Sequence, residues 1–129
     1  MKSTKITFKF FLLTILLLNL ISCKKDKIEK QEYSIKYEVE SGYHWDVNIQ
    51  WTGDDGGING KSLVESDWTQ VSSEVFSYSF VTEKKLNILF QGENTNSLSD
   101  VKIRLYVNDS LVQSAEANSQ MKATINYQL

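Results

Sequence analysis

From Tyr33 to the C-terminus, apolar and polar residues alternate with a period of two, the pattern of strands that have one dry and one wet face. Ile35, Tyr37 and Val39 alternate with Lys36 and Glu38, and Val47, Ile49 and Trp51 alternate with Asn48 and Gln50. Val101, Ile103, Leu105 and Val107 alternate with Lys102, Arg104 and Tyr106, and Met121, Ala123, Ile125 and Tyr127 with Lys122, Thr124 and Asn126. Phe76, Tyr78 and Phe80 form a further run, as do Leu86, Ile88 and Phe90, with Leu89 on the second face. Polar clusters separate the runs: Gly53-Asp54-Asp55-Gly56-Gly57, Asn94-Thr95-Asn96-Ser97 and Asn108-Asp109. Asn and Asp tolerate the positive φ of a type I′ turn, so Asn108-Asp109 predicts a tight hairpin onto Ser110-Leu111-Val112. No segment carries a 3.6-residue apolar stripe over three turns. About seven short antiparallel strands over residues 33–129 predict an all-β fold, a single immunoglobulin-like β-sandwich. The chain has no proline, so lysines and charged flanks must protect its sheet edges.

The first 22 residues obey a different rule. Lys2, Lys5 and Lys9 precede an apolar stretch from Phe10 to Ile21 that Thr14 and Asn19 interrupt. As a helix this stretch would reach roughly 18 Å, short of a hydrocarbon core of about 30 Å. It reads as a cleaved export signal and not as a membrane span. The signal ends in Leu20-Ile21-Ser22-Cys23, and Cys23 is the only cysteine. This tetrapeptide resembles the lipobox of bacterial lipoproteins, which implies that Cys23 is lipidated and becomes the mature N-terminus. Residues 23–32 then comprise Cys23 and a flexible tether. Its sequence KKDKIEKQE buries too little apolar surface to order itself and spans at most about 30 Å. The Cys-Lys-Lys-Asp start is similar to surface-exposed lipoproteins of the Bacteroidetes. The resemblance implies the bacterial outer membrane, and leaves the periplasmic or cell-surface face open.

Charge narrows the partners. Without Lys2, Lys5 and Lys9, eleven basic residues face 16 acidic ones, a net of −5. Nucleic acid is excluded, since phosphate binding needs a basic face. Electrostatic adhesion to anionic lipid is disfavoured too, so the acyl chains must hold the protein to the membrane, each buried methylene contributing about 0.8 kcal/mol. With Cys23 acylated no thiol is left for a disulfide, and the fold must rest on its aromatic-rich core.

No residue set reads as catalytic. His44 is the only histidine and lies at a loop-to-strand edge, where a relay or a zinc site would depend on it alone. Gly60-Lys61-Ser62 ends like a phosphate loop, but Asp55 stands where the first glycine is needed. Asp54 to Gly60 faintly echoes the start of a calcium loop, yet the middle ligand is missing and Ser66 occupies position twelve. A glycine-rich hairpin turn is the better reading, and neither a metal nor a cofactor is expected. Trp51 shares the phase of Val47 and Ile49 and belongs to the core. Trp45, at the strand end, and Trp68, at the start of a new strand, are the two candidates for stacking on a ligand, with packing across the sandwich as the alternative.

The order of these pieces resembles the MmpS family of small exported or membrane-anchored β-sandwich proteins. The resemblance runs through Tyr33, Tyr37 and Val39, then Val47 to Thr52, an Asp-Asp-Gly turn and Trp68-Thr69. It continues through Leu86 to Asn94 and the Val101 to Val112 hairpin. Asp67 stands where members often have proline, and a lipid Cys replaces their transmembrane helix. The resemblance implies an accessory role in the envelope. The leading expectation is a lipid-anchored, non-catalytic accessory or protein-interaction module. The alternative is a carbohydrate- or small-ligand-binding lipoprotein at the cell surface.

Overall fold

Alternation becomes nine strands in the computed structural model, which describes residues 29–129; the expected signal segment and Cys23 lie outside the described residues. The strands are β1 (Tyr33–Glu40), β2 (Val47–Thr52), β3 (Ile58–Ser62), β4 (Thr69–Gln70) and β5 (Val75–Thr82). After them come β6 (Asn87–Asn94), β7 (Val101–Val107), β8 (Ser110–Ala117) and β9 (Lys122–Gln128). They form two antiparallel sheets with strand orders β4-β5-β1-β7-β8 and β3-β2-β6-β9. The fold is therefore all-β, two sheets closed over one core.

The pairing follows the immunoglobulin scheme. β1, β5 and β4 pair as strands B, E and D do, while β3, β2, β6 and β9 take the places of C′, C, F and G. The difference lies beside β1, where the A position is filled by β7 from later in the chain. Nine strands replace the expected seven. β3 (INGKS) is exposed along nearly its whole length and has no apolar alternation to reveal it, and β4 has only two residues.

Each sheet points its period-two apolar set inward. Ile35, Tyr37, Val39, Phe76, Val101, Ile103 and Leu105 face Val47, Ile49, Trp51, Leu86, Ile88, Phe90, Ala123 and Ile125. Fully burying one such aliphatic side chain stabilises by roughly 1.5–3 kcal/mol. Tyr37 is central. Its ring centroid lies 4.8 Å from that of Phe90 across the sheets, and its hydroxyl donates to the Thr52 carbonyl at 2.8 Å. Burial pushes the Tyr37 hydroxyl well above its ordinary range, with Tyr78 adding to the effect. At the other end of the core the sheets approach through small residues. A Cβ on Gly92 would come within 2.9 Å of Ile103 Cγ2 and 3.2 Å of Val101 Cγ2.

Two turns follow directly from their residues. Asn108 and Asp109 have φ of 50° and 62°, as the two-residue hairpin between β7 and β8 requires. Gly53 to Gly57 joins β2 to β3. Gly56 sits at φ +88°, Gly53 N–H donates to Gly57 carbonyl at 2.8 Å, and Gly57 N–H to Asp55 Oδ1 at 2.8 Å. The segment is the glycine-rich hairpin turn its residues suggest. One apolar position is corrected. Met121 does not share the inner face of β9, because Gln120 turns at φ 61° and leaves Met121 exposed before the strand begins.

The outer face of the β1 sheet is charged and internally paired. Lys36 meets Glu38 at 3.1 Å, and Arg104 bonds Glu40 and lies 3.8 Å from Glu38. Tyr106 donates to Glu38 at 2.9 Å, and the Lys36 ammonium sits 4.1 Å over the Tyr106 ring. Burial pulls the Arg104 guanidinium down, but the hydrogen bond and charge of Glu40 outweigh it and raise it above its ordinary value.

Candidate functional site

The sandwich has two poles, one at each end of β1, roughly 25 Å apart for a strand of this length. The chain enters at Tyr33, opposite Thr82. There the β7–β8 turn is tied to β1, with Asn108 N–H donating to Ser34 carbonyl at 2.8 Å and Ser34 N–H to Asn108 Oδ1 at 2.9 Å. The far pole begins at Ser41.

That pole is organised around Asn94, an amide buried at the end of β6. Asn94 Nδ2 donates to Ser41 Oγ at 2.9 Å and to Tyr43 carbonyl at 3.3 Å, while Oδ1 accepts from Asn96 N–H at 2.8 Å. Its own carbonyl accepts from Gln120 N–H at 3.0 Å, and the Ser41 and Ser99 hydroxyls share a bond of 3.2 Å. Ser41 N–H reaches Glu74 carbonyl at 2.9 Å, Thr95 N–H reaches Asp46 carbonyl at 2.9 Å, and Asn96 Nδ2 reaches Asp46 Oδ2 at 3.1 Å. Four connections, β1–β2, β4–β5, β6–β7 and β8–β9, are thus bound to one another through backbone and amide groups. A buried polar network whose members are satisfied holds its loops in one arrangement.

With their polar groups engaged inward, these loops turn apolar side chains outward. Tyr43, Trp45, Val64, Val71, Leu98 and Met121 stand here, six of the nine exposed large apolar residues among the described residues. Val64 comes from a 3-10 turn, Leu63–Glu65, that packs beside a second one, His44–Asp46. Trp45 is 69 % exposed and rests on His44, ring centroids 4.3 Å apart, while His44 lies 5.1 Å from the ring of buried Phe76. The indole is largely exposed, with His44 packed against it.

Carboxylates adjoin this pole. Glu40, Glu74, Asp100 and Glu116 line a depression of about 260 Å³ with Ser41, Gly42, Ser99 and Lys102. Among the described residues, no three His, Cys, Asp or Glu side chains converge as metal ligands do. His44 Nδ1 is buried and has no hydrogen-bond partner among them.

The residues singled out from sequence have separate fates. Cys23 lies outside the described residues. Trp45 is exposed, because the chain makes a 3-10 turn at His44–Asp46 and the strand phase it shares with Val47 does not apply. Trp68 as a stacking platform is corrected. It is 6 % exposed, edge-on to Trp51 at 5.4 Å and packed on Tyr78 at 5.9 Å and Phe90 at 5.7 Å, so no ring face is open to a ligand. The two tryptophans share no ring contact. Tyr43, Val64, Val71, Leu98 and Met121 were not singled out. Their one signal is an apolar residue isolated in a polar turn, as Leu98 is between Ser97 and Ser99. No protein-family model matches the chain, and no curated protein matches it.

Proposed function

We propose that this is a lipid-anchored, non-catalytic envelope protein that works as a protein-interaction module, Cys23 holding it to a bacterial outer membrane and the Tyr43–Trp45 pole engaging its partner. One observation carries the reading: six of the nine exposed large apolar side chains among the described residues stand at the pole opposite the point where the chain enters the domain. Contiguous apolar surface marks interaction sites, and Trp and Tyr are the residues in which binding energy concentrates. Trp45 has the hot-spot form of a large ring at the surface with a packed base. By fold-level analogy, this pole carries the loops that correspond to the B–C loop and to both ends of the F–G connection, the binding end of immunoglobulin variable domains. An accessory role, as the MmpS resemblance implies, fits a domain tethered at one pole with its contact surface at the other.

The test is crosslinking of the full-length lipoprotein in its own membranes. A discrete protein adduct is expected from a photoreactive residue at position 98 in otherwise wild-type protein, and its loss when Trp45→Ala is added. An adduct indifferent to Trp45 and Tyr43 would move the contact elsewhere. The anchor is tested separately. Cys23→Ser is expected to abolish fatty-acid labelling and to release the protein from the membrane fraction, and retention in that fraction would refute lipidation.

A further inference from the structure

The outer face of the β3-β2-β6-β9 sheet differs in kind from its charged counterpart. The outward positions include Ile58 (exposed), Gly60 and Ser62 on β3, Asn48 and Gln50 on β2, Asn87, Leu89, Gln91 and Glu93 on β6, and Lys122, Thr124, Asn126 and Gln128 on β9. Six of these are primary amides. The only charges, Glu93 and Lys122, face each other in register and pair at 3.6 Å. Gln91 Nε2 donates to Thr124 Oγ1 at 3.3 Å, and among the described residues the side-chain amides of Asn48, Gln50, Asn126 and Gln128 have no hydrogen-bond partner. Each offers two donors and an acceptor to whatever lies on the face.

Register sets these amides side by side. Gln50 is opposite Gln91, Asn48 is opposite Glu93, and Gln91 is opposite Thr124. Neighbouring strands are about 4.8 Å apart, and successive outward residues about 6.8 Å apart along a strand, so the donors and acceptors form a regular lattice. Asn48, Gln50, Gln91, Glu93 and Lys122 line a notch of about 80 Å³ within it. Gly60 stands opposite Gln50 on the edge strand and leaves it uncovered. A Cβ there would meet Gln50 Cγ at 3.4 Å, an ordinary contact, so packing does not require glycine at this position.

We propose that this face is a binding site for a neutral, hydroxyl-rich polysaccharide, seated over the notch and held by Asn48, Gln50 and Gln91. A sugar hydroxyl both donates and accepts, which matches an amide lattice whose partners would otherwise be water. The paired charges leave nothing to recruit an ionic ligand, and the network that occupies the other sheet's outer face is absent. The site is distinct from the Trp45 pole and does not depend on it.

Full-length protein in mild detergent is titrated with soluble dextran, laminarin and galactomannan, and with polyanionic alginate. At least one neutral glycan is expected to bind, and alginate not to. Gln50→Ala/Gln91→Ala is expected to weaken binding roughly tenfold or more, as is Gly60→Val, which adds bulk against Gln50 without removing an amide. Trp45→Ala is expected to leave binding unchanged. Far-UV circular dichroism and melting curves check that each variant is folded. The proposal is overturned if none of the neutral glycans binds, if alginate alone binds, or if folded Gln50 and Gly60 variants bind like wild type. Binding lost only in Trp45→Ala, or a protein adduct formed through position 50 in place of glycan binding, overturns it as well.

Discussion

Trp68 and Trp45 began as equal candidates, and the two ring clusters they belong to have opposite fates. Trp68 joins Tyr37, Trp51, Tyr78 and Phe90 between the sheets, ring on ring at 4.8 to 6.5 Å. Trp45 rests on His44, which in turn lies against Phe76, and most of the indole is in solvent. Tyr37, Trp51, Tyr78 and Phe90 of the inner cluster come from strands, whose pleat sends alternate residues into the core, and Trp68 joins them from the position just before β4. The polar cluster is built by turns held to Asn94, which can project a side chain against the strand phase. Identical residue types therefore serve stability in one region and recognition in the other, and the backbone beneath them decides which.

The largest effect that could break this contrast is the deletion of an inner ring. Trp51→Ala and Trp68→Ala are each expected to cost about 3–5 kcal/mol, the range for a buried large aromatic, in a domain whose total stability is about 5–15 kcal/mol. Denaturant titration measures this, and a loss below about 1 kcal/mol would mean that the ring is not part of the core. Next comes the knot that separates the clusters. Asn94→Ala leaves the Ser41 hydroxyl, the Tyr43 carbonyl and the Asn96 N–H without their buried partner, a cost of roughly 1–3 kcal/mol. Amide exchange at Asn96 and Gln120 is expected to quicken more than in β1, and uniform quickening would deny the knot a local role.

An alkaline titration sharpens the contrast. Tyr37 is raised by burial and then Tyr78, and Tyr78 by burial and then Asp54, Asp55 and Asp67. The unfolded chain releases these protons near pH 10 while the folded one retains them, so there the folded state binds more protons and stability falls as pH rises. Stability attributable to these groups is intact below pH 10 and declines above it, by at most about 1.4 kcal/mol per pH unit for each group. Tyr37→Phe is expected to make the decline shallower, and an unchanged slope would place the titrating groups elsewhere. The smallest stability effect belongs to the exposed ring. Trp45→Ala is expected to change stability by no more than about 0.5 kcal/mol while removing the crosslinked adduct. A cost approaching that of Trp68→Ala would make Trp45 a core residue.

Much of this is legible in the sequence. Alternation located six of the strands and their dry faces, because a pleat of period two is local geometry that neighbouring residues report. The Asn108-Asp109 hairpin was legible for the same reason, its positive φ values being a property of those two residues. β3 escaped because an edge strand exposed on both sides needs no apolar pattern, and β4 because two residues make none. Tyr43 and Met121 escaped because exposure in a turn depends on what the turn is bound to, here Asn94 far away in the chain.

By itself, then, the sequence determined the class of the fold, the inward set of each long strand and the tight turns, all consequences of backbone sterics and spacing over a few residues. Tertiary structure decided what depends on distant segments meeting. It put β7 beside β1 in the place of a first strand, and set Gly92 against Val101 and Ile103 where the sheets approach too closely for a Cβ. It covered Trp68 with rings from β1, β2, β5 and β6, and it left Trp45 facing solvent. Burial is a sum over contacts among elements far apart in the chain, and no window of neighbouring residues contains that sum.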